Sequence, residues 1–184
     1  MESVSELITQ VRGHYLQQFL GFVELQQEQW PSGHAEVKFE LSDPSELFRG
    51  LYCTDFAAKE DGDAIVREMY PDTILTFGPL AYEVRGVPVV IERLVWDSVQ
   101  LHHDAGTLGG AALDGWFDYW FDTDDARLDP TSDIAGVVHS LSVKDGELDV
   151  DFGTAETEAF WDMLELIALA GATNIRVTSD RKSE

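Results

Sequence analysis

Val4, Leu7, Ile8, Val11, Tyr15 and Phe22 recur at helical spacing and predict a helix over residues 3–20. Ser3 and Glu6 make an S-x-x-E capping pair at its start. Gly13 and Gly21 weaken the pattern. The helix either stops near Gly21 or runs on to Trp30, before the break at Pro31-Ser32-Gly33. The period then changes. Over residues 34–41, Ala35, Val37, Phe39 and Leu41 alternate with His34, Glu36, Lys38 and Glu40, which reads as a half-buried strand with the charges outward.

Pro44 and Glu46 suit the first turn of a short helix over 44–49, ending at Gly50. A strand is expected over 51–57, a short helix over 63–70 before Pro71, and a strand over 73–77. The strongest extended pattern spans 80–103, turned once at Gly86. Its parity breaks around Arg93 to Asp97, so either both faces are covered or a bulge shifts the register. A helix is expected over 111–121, followed by an acidic loop over 122–133. The last third reads as a strand over 137–143, an Asp145-Gly146 hairpin turn and a return strand through Leu148, Val150 and Phe152. A helix over 156–170 capped by Thr154, a strand over 174–178 and a charged tail over 180–184 complete it.

Short turns between successive strands favour antiparallel pairing. The expected architecture is therefore α+β: one domain over 1–184, with a mainly antiparallel sheet and N- and C-terminal helices packed on it. The acidic loop at 122–133 would be the boundary if there were two lobes. No repeat and no low-complexity linker is evident.

Composition narrows the class. With 184 residues, 44% of them hydrophobic, the chain has material for a sizeable core. No apolar run is long enough to span a bilayer, and the N-terminus lacks the basic and apolar regions of a secretory signal. The one cysteine, Cys53, cannot form an internal disulfide and reads as a small buried residue. A cytoplasmic location is expected.

Charge changes the picture further. Thirty-five acidic residues face twelve basic ones, a net charge of −23. Nucleic acid and anionic membranes are disfavoured as ligands, since both are bound through Lys and Arg. Three readings of the acidity remain: a solvated surface in a host with an acidic proteome, a match to a basic protein partner, or carboxylates that hold cations. Homodimerisation is open, and no cofactor is indicated.

No motif assigns a reaction. His102, His103 and Asp104 stand where a strand would end, and a metal-dependent enzyme would be built there. Adjacent strand histidines point to opposite faces, so a site using both needs the chain to turn. Asp122, Asp124 and Asp133 occupy positions 1, 3 and 12 of an EF-hand-like loop, but Ala126 and Arg127 stand where a ligand and glycine are needed. Asp149 and Asp151 share one strand face as solvated carboxylates. The densest feature is Trp116-Phe117-Asp118-Tyr119-Trp120-Phe121, which is either a core face or a partly exposed anchor. Asp114, Asp118, Asp122, Asp124, Asp125, Asp129 and Asp133 surround it, against Arg127 alone. The favoured reading is a non-enzymatic, immunity- or inhibitor-type domain that binds a basic protein. Trp116, Tyr119 and Trp120 would anchor the partner, with Asp118, Asp122, Asp124 and Asp125 as the acidic rim. A self-associating structural protein is the remaining alternative.

Overall fold

The computed structural model describes residues 2–43 and 46–181, and only the backbone of Glu2 and Ser3. It is an α+β arrangement with two sheets, mostly antiparallel. Helix α1 (Glu2–Gln29) takes the longer of the two expected courses. Val4, Ile8, Val11, Tyr15, Phe19 and Val23 are buried along one stripe, and that burial carries the helix past Gly13 and Gly21 on its outer side. The capping role expected of Ser3 lies outside the described residues, as do Pro44, Ser45 and the tail from 182. Of the helix expected over 44–49, a 3-10 turn at Phe48–Gly50 is present.

The smaller sheet is β1 (His34–Glu40), β2 (Leu51–Glu60) and β3 (Asp63–Arg67), paired in that order. Residues 63–67 are thus a strand, not the expected helix. Asp61 and Gly62 both have positive φ, 52° and 90°, and make a tight hairpin that lays Ile65 and Val66 beside Ala58 and Ala57. Residues 73–77 form no strand. Leu75 and Phe77 pack against the core from irregular backbone.

The larger sheet contains β4 (Leu80–Val84), β5 (Val87–Ile91), β6 (Val99–His103), β7 (Ser140–Lys144), β8 (Glu147–Asp151) and β9 (Ile175–Thr178). Their order is β4-β5-β9-β6-β8-β7, with only β5 and β9 parallel. The parity break expected between 87 and 103 is a crossing between two strands. β9 separates β5 from β6, and residues 92–98 carry the chain over it, burying Leu94, Val95 and Trp96. Helix α2 (Gly110–Phe121) and helix α3 (Thr157–Leu169) pack against each other. Among the described residues no helix is long and apolar enough to cross a membrane.

The two sheets meet at residue 139. Val138 and His139 continue β7 backwards as extended chain. The N–H of His139 donates to Asp151 O (2.9 Å), and its carbonyl accepts from Cys53 N–H (2.7 Å) on β2.

Candidate functional site

Helix α2 sorts its side chains by angle. Leu113, Phe117 and Phe121 are fully buried. Asp114 and Asp118, four residues apart, share Arg49, whose guanidinium also lies over the Phe117 ring. The third face carries Ala112, Gly115, Trp116, Tyr119 and Trp120 and walls a groove of about 620 Å³ against α3.

The expected anchor therefore divides. Trp116 and Trp120 are 6% exposed, their edges reaching the groove. Their indole N–H groups donate to Ala159 O and to Asp162 Oδ2, both at 3.1 Å. Tyr119 is 55% exposed. Its ring meets Trp120 edge-on, and Arg127 lies 4.4 Å from its centroid while donating to its carbonyl. Across the groove, α3 contributes Leu166 and Leu169, the latter 68% exposed, with Asp162 and Glu165. Glu165 is 3.4 Å from Arg85.

The expected acidic residues are dispersed by the fold. Asp118 turns to Arg49. Asp122 is buried with φ 54°, and its carboxylate accepts the N–H groups of Ala126 and Arg127 at 3.0 Å each, so it shapes the loop. Asp125 pairs with Lys38. Asp124 is exposed and makes no ion pair with a described residue. The carboxylates that line the groove are Asp162 and Glu165, from α3. Sequence reading missed them because their helix reads as an ordinary amphipathic one.

His102, His103 and Asp104 point to separate tasks. His102 Nδ1 is 3.1 Å from Glu147 Oε2. His103 is buried on the other face, its Nε2 has no hydrogen-bond partner, and burial lowers its pKa. Asp104 accepts from Thr173 and Asn174, chiefly from the Thr173 hydroxyl, and these bonds hold its pKa below the usual carboxylate range. Among the described residues no three His, Cys, Asp or Glu side chains are placed to hold a metal ion.

The most concentrated chemistry was not legible in the sequence. His139 Nε2 lies 2.9 Å from Glu36 Oε1, and its Nδ1 lies 3.0 Å from Asp55 Oδ1. All three side chains are under 10% exposed. Glu36 has φ 51°, a left-handed conformation rare for a non-glycine residue, and its side chain is covered on the same strand parity as that of Lys38. Thr154 donates to Glu36 Oε1, and Ala135 N–H to Oε2 (2.6 Å). The other Asp55 oxygen accepts from Met69 N–H (2.6 Å). Thr154 was expected to cap α3. Instead its hydroxyl joins this cluster and accepts the N–H groups of Gly136 and Val137, while Glu156 sits at the cap position.

Burial works against charge on the His139 ring, but the carboxylates of Asp55, Glu36 and Asp151 more than offset it and raise its pKa well above the usual value. Asp151 is half-buried and accepts from Gly153 N–H at 2.8 Å. Burial pushes its pKa well up, with His139 opposing and Asp55 and Asp97 reinforcing. Asp149, its neighbour on that face, pairs with Lys144 at 2.8 Å. Both imidazole nitrogens lie within 3.0 Å of carboxylate oxygens and the ring is closed to solvent, so the cluster joins the two sheets.

In comparison with known proteins, no family model, no curated protein and no solved structure matches this chain.

Proposed function

We propose that this chain is a non-catalytic binding domain for a basic protein, of the immunity or inhibitor type. The observation that supports this reading is that seven of the eleven lysines and arginines among the described residues are paired with carboxylates, in a chain of net charge −23. Arg12, Lys38, Arg49, Arg85, Lys144, Arg176 and Arg181 are each held in ion pairs with carboxylates. Glu24, Glu28, Asp124 and Asp133 stay exposed with no cationic partner among the described residues. Such a surface attracts a basic protein over a Debye length and can cover the site where that partner binds phosphate.

The test is selection from an unbiased peptide display library against the purified protein at physiological salt. The expected winners are rich in Lys and Arg relative to the starting pool. Winners with no basic enrichment, or a selection that keeps the same winners at the same strength in about 1 M salt, where charge attraction is screened within about 3 Å, would end the reading.

A further inference from the structure

We infer that the groove between α2 and α3 is the docking site for a basic amphipathic helix of the partner; this deepens the proposed function and rests on it. The groove has the two properties such a ligand requires. Its walls are apolar, with Trp116, Tyr119 and Trp120 facing Leu166 and Leu169. Tyr119 and Leu169 are two of the few large hydrophobic side chains left exposed, and both stand at this groove. Trp and Tyr are also the side chains most often dominant in interfaces.

The groove also has room. A Cβ at Gly109 or at Gly115 would meet nothing within 4 Å beyond its own stretch of chain. Gly115 lies within α2, so α2 presents a notch in the middle of the groove wall where a partner side chain can approach its backbone. A helix laid in a groove reads it through apolar residues at i, i+3 or i+4, and i+7. One such residue fits the notch beside Trp116.

Charge selects the occupant. No lysine or arginine is among the residues lining the groove, while Asp162 and Glu165 are. Flanking Lys or Arg side chains on the ligand would meet Asp162, whose Oδ2 also accepts from Trp120, and would share Glu165 with Arg85. A second copy of this chain is disfavoured as occupant, because each copy carries −23.

The experiment uses three short helical peptides as probes: one of Leu and Lys in amphipathic order, one with Gln in place of Leu, and one with Glu in place of Lys. Binding is followed through tryptophan fluorescence and calorimetry. The Leu/Lys peptide is expected to bind at least about tenfold more tightly than either control. Gly115→Leu fills the notch and is expected to weaken it at least about tenfold, while leaving the melting temperature unchanged or raised. Leu169→Asp, at an exposed position, serves as the second variant should Gly115→Leu fold poorly.

If both basic peptides bind alike and neither variant matters, the groove is not the site, although the acidic surface still binds basic chains. If none of the peptides binds, this inference falls, and the library selection alone decides the broader reading. A stable dimer in solution that Gly115→Leu dissociates would overturn the inference by showing that a second copy is the occupant.

Discussion

His139 and Glu36 meet at 2.9 Å in a place closed to water, and Glu36 reaches it from strand β1 with a left-handed backbone. The contact joins the smaller sheet to the larger one. Asp55, from β2, closes the other side of the ring at 3.0 Å. Removing the imidazole would leave two buried carboxylates facing each other. A buried ionic network broken at one member costs about 3–5 kcal/mol. His139→Gln should therefore lower stability by about that much in urea unfolding. Adding Glu36→Gln and Asp55→Asn to it should recover part of the loss, because the uncompensated charge is then gone. A His139→Gln protein as stable as the parent would show that the cluster contributes nothing.

Proton uptake gives this cluster a sign. Burial raises Asp97 to about 6, with Arg181 opposing, and raises Asp151 well above the ordinary carboxylate value. For a carboxylate whose folded pKa is raised, the folded state holds the proton more tightly. Its contribution is full below the unfolded value near 4 and is lost as pH climbs through the folded value. His139, also raised, contributes fully below about 6.5 and loses its contribution as pH rises through its folded value. All three shifts act in one direction, and the growing negative charge adds to them. The melting temperature should fall from about pH 5 to pH 8. Asp97→Asn should flatten the part of the profile between about 4 and 6. A melting temperature that rises across that range would contradict the assignment.

Two glycines give opposite expectations from one kind of substitution. Gly153 has φ 51°, and a Cβ there would lie 2.2 Å from the His139 ring. Gly115 sits in a helix with open space around it. Gly153→Ala must either displace the imidazole from its carboxylates or move the β8–α3 connection, so a loss of about 2–4 kcal/mol is expected. Gly115→Ala should gain about 0.5–1 kcal/mol. Urea unfolding of the two variants beside the parent checks both. Equal stability of the two would show that the space around residue 153 is not closed.

The contrast between these sites explains how much the chain disclosed in advance. Helices α1, α2 and α3 and the β7–β8 hairpin were legible because period and turn chemistry are local. Strand β3 was misread as a helix over 63–70 before Pro71; what makes it a strand is the tight Asp61-Gly62 turn, which pairs Ile65 with Ala58. The insertion of β9 between β5 and β6 is a long-range pairing with no local signal. At the candidate groove, the aromatic residues were visible as a cluster. The carboxylates across from them were not, because Asp162 and Glu165 are ordinary helix-surface residues until α3 packs against α2. Glu36 was hidden most completely. Clean alternation placed it outward with Lys38, but the fold covers both side chains, Glu36 against His139 and Lys38 against Asp122 and Asp125.

Cys53 supplies a direct readout of that buried junction. Its side chain is 3% exposed, its N–H donates to His139 O at 2.7 Å, and burial pushes its thiol up to about 12. The thiolate is the reactive form, so at pH 8 the folded protein should react negligibly with a disulfide reagent. Reaction should proceed only through opening of the β2–β7 contact, and one thiol should titrate in full on denaturation. His139→Gln removes the ring that holds β1 and β2 in place, so it should speed labelling in proportion to its loss of stability. Fast labelling of the parent protein would mean that the junction opens far more readily than its hydrogen bonds require. Slow labelling in both parent and variant would place the junction's strength in the backbone bonds around residue 139, not in the imidazole.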